Sequence, residues 1–206
     1  MHIVDGALSV PVLATGALAT VAGVAVGLKK LDYDRLPQVG VLSAVFFVAS
    51  YIHLPVGFSS VHLILNGLIG IILGWAAFPA LLVALLLQAV FFGFGGFVVL
   101  GVNTFNIAMP AVVMYYLCRK GISGEKQNIA VVWGTIGGAG AIFLTTLCVA
   151  ASLALSGDSF LLAAKATMVA HIPVMIVEGF VTGAAVILLR TVKPELLKLP
   201  EGWNAG

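Results

Sequence analysis

Near-continuous apolar runs are what most constrain this chain. Stretches such as VPVLATGALATVAGVAVGL and GLIGIILGWAAFPALLVALLLQAVFF approach or exceed the roughly 20 residues a helix needs to cross a bilayer core. Of the 206 residues, 61% are hydrophobic and 9% charged, far from a globular mixture. In lipid the backbone must satisfy its own hydrogen bonds, which leaves helices or a closed barrel. The runs show no strict apolar and polar alternation in segments of ~10 residues, so a barrel is excluded. The expected fold class is therefore an all-α integral membrane protein, with residues 1–206 forming a single transmembrane domain.

The first run does not read as a cleaved leader. It has no basic residues ahead of it and ends in Leu28, Lys29 and Lys30 without a small-residue cleavage site. It is expected to be retained as the first span. Cys118 and Cys148 have no metal-ligand spacing and read as small apolar packing residues.

Charges, Gly, Pro and Asn divide the chain into seven expected spans, at 9–28, 38–53, 60–76, 79–96, 103–118, 128–154 and 171–190. The fragment DSFLLAAKATMVA carries Asp158 and Lys165 and reads as an interfacial helix. Lys29, Lys30 and Arg35 follow span one, Arg119, Lys120 and Lys126 follow span five, and Arg190, Lys193 and Lys198 follow span seven. By the positive-inside rule these loops are cytoplasmic, so the N-terminus lies outside and residues 191–206 form a cytoplasmic tail. Trp75, Tyr115, Tyr116 and Trp133 fall near the inner helix ends, where an aromatic belt belongs. The same topology puts His2, His53, His62 and His171 on the outer side.

The start, MHIVDGALS, has a chelating possibility. The amine of Met1, the amide nitrogen of His2 and the His2 imidazole can form fused rings in one plane around a metal ion. A planar nitrogen set suits nickel(II) or copper(II), and one more nitrogen would complete it. Zinc prefers a tetrahedron and finds no thiolate cluster here. Asp5 can accept local backbone N–H bonds and Gly6 can take a left-handed turn, which together would fold the leader, residues 1–8, back on the bundle. The other reading of MHIVDG is a short frayed tail.

The fourth nitrogen is sought in GFSSVHLILNGLIG. His62 follows a Gly-Phe-Ser-Ser bend that can be non-helical backbone lining a cavity, and Asn66 at i+4 can orient its ring. Alternatively Ser59 or Ser60 caps a helix that His62 opens. In FGFGGFVVLGVNTFNIAMP, Asn103 and Asn106 share a helical face, and the glycines fit either a loop reaching into an outer cavity or close helix packing. His171 and Glu178, seven apart, also share a face, and Glu178 is the carboxylate set deep in a span, by default a functional or structural contact inside the bundle. No HExxH, GxSxG or GxxxxGK[ST] pattern is present, so hydrolase chemistry and ATP use by this chain have no motif behind them. A membrane-embedded metalloenzyme would need an open, water-activating site, and a stand-alone channel would need a continuous polar path.

Taken together, MHIVDG, GFSSVHLILNGLIG, GVNTFNIAMPA and HIPVMIVEGFVTG resemble the CbiM/NikM family, over residues 1 to about 190. These are the substrate-binding (S) components of energy-coupling-factor transporters for cobalt or nickel in the prokaryotic cell membrane. The resemblance implies an extra N-terminal helix on a six-helix component, with the terminus tucked into the outer cavity. It implies metal ligation by Met1, His2 and His62, with His53, Asn103 and Asn106 nearby. It also implies a transmembrane coupling (T) protein, two cytosolic ATPase subunits and, in some systems, a small accessory membrane subunit, with no nucleic acid. Nickel or cobalt is then the cargo, and no cofactor is expected.

Overall fold

The computed structural model describes residues 3–56 and 59–198. Met1 and His2, two of the expected ligands, lie outside the described residues. Helix α1 (Val10–Lys29) starts after Ser9 with Pro11 in its first turn, a position where a missing N–H costs nothing. It is followed by α2 (Leu36–Ala49), a short antiparallel hairpin of β1 (His53–Val56) and β2 (Ser59–His62), α3 (Asn66–Leu73) and α4 (Ala77–Phe92). The remainder is α5 (Leu100–Ser123), α6 (Gln127–Ala154), α7 (Leu161–Ala170) and α8 (Ile172–Val192). Among the described residues, five helical stretches are long and apolar enough to cross a membrane: Val10–Lys29, Asn66–Phe92, Leu100–Ser123, Gln127–Ala154 and Asp158–Val192. The protein is a nearly all-helical, multi-pass membrane protein.

The stretch Asn66–Phe92 is bent back on itself. Asn66 reaches Ile107, a Cβ on Gly70 would meet Ala111, and Gly74 faces Tyr115, so α3 runs alongside α5 in the same direction. At Gly74 the backbone takes φ +55, and a 3-10 turn (Gly74–Ala76) reverses the chain. Helix α4 then returns until Phe94 lies parallel to the ring of His62, with centroids 6.5 Å apart. Helix α3 is thus a half-length helix whose N-terminus is buried in the bundle. Its packing is backbone to backbone: a Cβ at Gly70 would sit 2.1 Å from the Ala111 carbonyl oxygen, and one at Gly67 2.5 Å from that of Gly137. Small residues give membrane helices this approach, and dispersion rather than water exclusion then holds them together.

The bundle has two chemically distinct ends. At one, Lys30 sits over Trp75, Arg35 donates to Ile72, Arg119 packs on Tyr115, and Arg190 donates to the carbonyls of Ile122, Gly124 and Glu125. Trp75 Nε1 also donates to the Tyr116 hydroxyl at 3.0 Å, so the expected aromatic cluster forms at this arginine end. At the opposite, histidine end lie His62, the turn at His171 and the residue 3–9 segment.

Expected spans and observed helices correspond for α1, α4, α5, α6 and α8, although α4 stops four residues before its expected end and α5 starts three residues before and ends five after its expected bounds; the differences that move candidate site residues lie in α2 and α3. Helix α2 stops at Ala49, four residues before the expected end, and His53 enters β1 instead. Residues 60–62, expected inside a helix from 60 to 76, belong to strand β2, and the helix begins at Asn66. An apolar run reads the same whether it is buried as strand, irregular chain or helix, which is why periodicity missed this break. The expected interfacial segment forms a separate ten-residue helix, α7, preceded by a 3-10 turn and joined to α8 through His171.

Candidate metal site

Three irregular segments meet at the histidine end, and polar side chains on rigid helices pin the first and the third of them. The first is the N-terminal segment. Ile3 N donates to Asn103 Oδ1 at 3.1 Å, and Asn103 Nδ2 donates back to Ile3 O at 2.9 Å. The carboxamide thus mimics a strand neighbour, satisfying both backbone groups of one residue. Ile3 itself is buried with Leu8, Val99 and Val102. Asp5 N donates to Gly95 O at 3.2 Å, and Asp5 Oδ1 accepts from Val99 N at 3.0 Å. Ser9 N donates to Ser156 Oγ at 3.1 Å.

From Ile3 onward, then, the leader is folded back on the bundle. The expected left-handed Gly6 is present, at φ +88. Asp5, however, accepts from a loop 94 residues away, not from its local backbone. That loop, residues 93–99, has its own requirement: a Cβ on Gly96, at φ +140, would fall 2.2 Å from the Asp5 carboxylate. The cluster FGFGGFV is the sequence signal for it, serving as a loop that receives the leader. Asn103 and Asn106 belong to the first two turns of α5, not to the loop, and Asn106 Nδ2 donates to Ser152 Oγ at 3.1 Å.

The second segment carries His62. In register, His53 and His62 are direct Cα partners across the hairpin, which brings two expected site residues together at the backbone level. The His62 ring is buried, and its Nδ1 lies 2.9 Å from Leu63 O. A carbonyl can only accept, so Nδ1 carries the proton and Nε2 the lone pair, the tautomer a metal ligand needs. His171 has the same arrangement: buried, with Nδ1 2.7 Å from Thr167 O.

The third segment, Leu63–Leu65, joins β2 to α3. Leu65 is, among the described residues, the one non-glycine with positive φ, at +56, a conformation that costs about 1–2 kcal/mol. It ends at a helix whose cap comes from elsewhere. Glu178 Oε1 accepts from Leu65 N at 2.8 Å and also from Ile64 N, so the α8 carboxylate caps the buried N-terminus of α3. Asn66 was expected to turn toward His62. Instead, Nδ2 donates to Ile107 O and Thr145 Oγ1, both at 2.9 Å, because residues 62–65 are not helical and i+4 no longer means the same face. The expected alternative, a Ser59 or Ser60 cap on a helix opened by His62, is likewise replaced by Glu178.

Among the described residues no three His, Cys, Asp or Glu side chains cluster closely enough to hold a metal ion.

Known proteins bear on this geometry. Residues 2–196 match the family described as the cobalt uptake substrate-specific transmembrane region, CbiM. The chain belongs to the CbiM family. The CbiM-family chain is 44% identical to a Haemophilus influenzae protein named for metal transport, over 99% of this chain and 100% of that one. It is 39% identical to the fused nickel transport protein NikMN of Rhodobacter capsulatus, across 63% of this chain and 40% of that longer one. A solved transition metal transporter is 31% identical, with a TM-score of 0.74 and 93% of each chain covered. A truncated transition metal transporter superposes comparably, at TM-score 0.73 and 30% identity, covering 93% of this chain and 99% of that one. The protein is thus a multi-pass membrane member of a metal-transport family described by cobalt uptake.

Proposed function

We propose that this chain is the substrate-capture component of an ATP-driven, energy-coupling-factor nickel or cobalt transporter. The divalent ion is held in a plane by the Met1 amine, the His2 amide nitrogen, the His2 imidazole and His62 Nε2. The observation that carries this reading is that one loop touches both halves of the site. Gly95 and Val99 hold Asp5, while neighbouring Phe94 lies against the His62 ring. Two residues precede Ile3, and two residues of extended chain reach about 7 Å. The pinning of Ile3 and Asp5 also removes conformational freedom that a free terminus would lose on binding.

The topology in this reading has seven passes, with the N-terminus outside. It is supported by the alternation of helix directions through the α3–α4 reversal, and by Lys30, Arg35, Arg119 and Arg190 gathering at the end opposite the histidines. The membrane coupling protein, the two ATPase subunits and an accessory small subunit supply the energy and the motion, because this chain has no phosphate-binding loop.

The test is metal content and absorption spectrum of the purified chain, native and with one residue added before Met1. The extended chain should lose the planar-nitrogen absorption and at least about 100-fold of nickel affinity, since the amine becomes an amide. Equal binding by both chains would refute the terminal chelate. His62→Ala tests the fourth ligand separately: its band should move to longer wavelength as oxygen replaces nitrogen.

A further inference from the structure

Glu178 has no role in the ligand set above, yet it is completely buried in the bundle. Among the described residues the ion pair present is Lys193–Glu195, at 3.5 Å near the C-terminal end, so no described Lys or Arg pairs with Glu178. What accounts for it is backbone. Its Oε1 takes the amides of Ile64 and Leu65, two and three residues after His62. These amides belong to the turn containing the strained Leu65, at φ +56. At the other end of the same eight-residue helix, Arg119 donates to Ile71 O and Arg35 Nη2 donates to Ile72 O at 2.7 Å. Helix α3 is thus closed by a carboxyl oxygen at its N-terminal end and by two guanidinium groups at its C-terminal end, all from other elements.

We infer that Glu178 is a positioning residue for metal capture: through the turn Leu63–Leu65 it sets where His62 presents Nε2. The inference rests on His62 being a ligand. Three observations support the linkage. The segment between the ligand and the cap is three residues long, so it has little slack. Its conformation is one that a leucine leaves when released, because the left-handed region crowds Cβ against the backbone. And His62 Nδ1 bonds to Leu63 O, a carbonyl inside that same turn, so ring and turn move together. A carboxylate accepting two successive amides holds such a turn without occupying the metal, which is how partners beyond the ligands govern a site.

The experiment uses the full chain in nanodiscs loaded with nickel(II), comparing wild type, His62→Ala, Glu178→Ala, Glu178→Gln and Thr182→Val. Each sample is taken as its monodisperse fraction. Glu178→Ala should bind nickel about 10–100-fold more weakly, with its d–d band displaced toward that of His62→Ala. Glu178→Gln, whose carbonyl oxygen can still accept the amides, should recover most of the band position and all but about tenfold of the affinity. Thr182→Val, one turn further along α8, should match wild type in both.

A Glu178→Ala protein with lowered thermal stability but wild-type band and affinity would overturn the inference, since capping would then be structural only. If Glu178→Ala does not fold, Glu178→Gln decides: a His62→Ala-like band in Gln would overturn acceptor-based positioning, and a near-native band with weakened affinity would support it. If His62→Ala leaves the wild-type band unchanged, the ligand assignment fails and this inference with it.

Discussion

The two ends of the bundle satisfy backbone groups by opposite chemistry. At the histidine end, side-chain oxygens hold main-chain amides: Asn103 and Glu178, on helices, hold Ile3 and the pair Ile64 and Leu65, and Asp5, in the leader, holds Val99. At the arginine end, guanidinium groups hold the carbonyls that helices leave unpaired at their C-termini. Arg119 donates to Ile71 and Lys198, Arg35 to Ile72, and Arg190 to Ile122, Gly124 and Glu125. The first end fixes loops. The second closes helices and fixes the frame. Substitutions at the arginine end should therefore act on stability, and those at the histidine end on metal affinity.

The largest effect is expected at Arg119, which is 3% exposed. Arg119→Met strands two carbonyls that now receive charge-assisted hydrogen bonds, each worth about 1.5–3 kcal/mol. A loss of about 3–5 kcal/mol should appear as a markedly lower thermal midpoint in detergent. Nickel affinity per folded molecule should stay within about threefold of wild type. An Arg119→Met protein of normal stability and poor metal binding would break the division between the ends.

At the histidine end, Asn103→Leu should do the reverse. It keeps the volume and removes both bonds to Ile3, about 1 kcal/mol each, so the terminus must be ordered at the moment of binding. The expected cost is about 2 kcal/mol in binding, roughly 30-fold in nickel affinity by titration calorimetry, with little change in thermal midpoint. A midpoint shift with unchanged affinity would show that the clamp serves the frame.

The sequence made α1, α4, α5, α6 and α8 legible because charges and Gly or Asn punctuate otherwise uniform apolar runs. The charge asymmetry also separated the two ends. What stayed hidden is instructive. Glu178 was visible as a buried carboxylate, but its partners are main-chain amides, which every residue carries and no pattern marks. Those amides lie in HLILN, a segment with no polar punctuation, where strand, turn and helix start give the same apolar reading. Asn66 was assigned a neighbour by helical spacing, and that spacing fails once residues 62–65 leave the helix. Asp5 and Gly96 complement each other across the fold, and their contact exists only after α1 through α4 have returned the chain to the leader. The main-chain supports around the proposed site were therefore not readable from the residue pattern.

Gly96 gives a sharper test of the same division. A methyl group there meets the Asp5 carboxylate at 2.2 Å, and at φ +140 the backbone disfavours any L side chain. The loop must shift or Asp5 must leave Val99. Gly96→Ala should lower nickel affinity about tenfold, corresponding to roughly 1.4 kcal/mol. Helix content by circular dichroism should be unchanged, because the loop lies between α4 and α5 and belongs to neither.

The smallest effect separates charge from geometry at the leader. Asp5→Asn keeps an oxygen able to accept from Val99 N and removes the negative charge that strengthens the bond. The difference between a charge-assisted and a neutral hydrogen bond is about 0.5–1.5 kcal/mol, so affinity should fall about 2–10-fold. Asp5→Ala loses the acceptor as well and should fall further, toward Asn103→Leu. If Asn equals Ala, the charge is what matters, and Asp5 then attracts the incoming cation as well as holding the loop. In that case the loss should shrink as salt rises from 0.05 to about 0.5 M, because screening weakens an exposed charge while leaving a hydrogen bond's geometry intact. If Asn equals wild type, the geometry of the hydrogen bond to Val99 N holds the leader, and the charge of Asp5 adds nothing to cation capture.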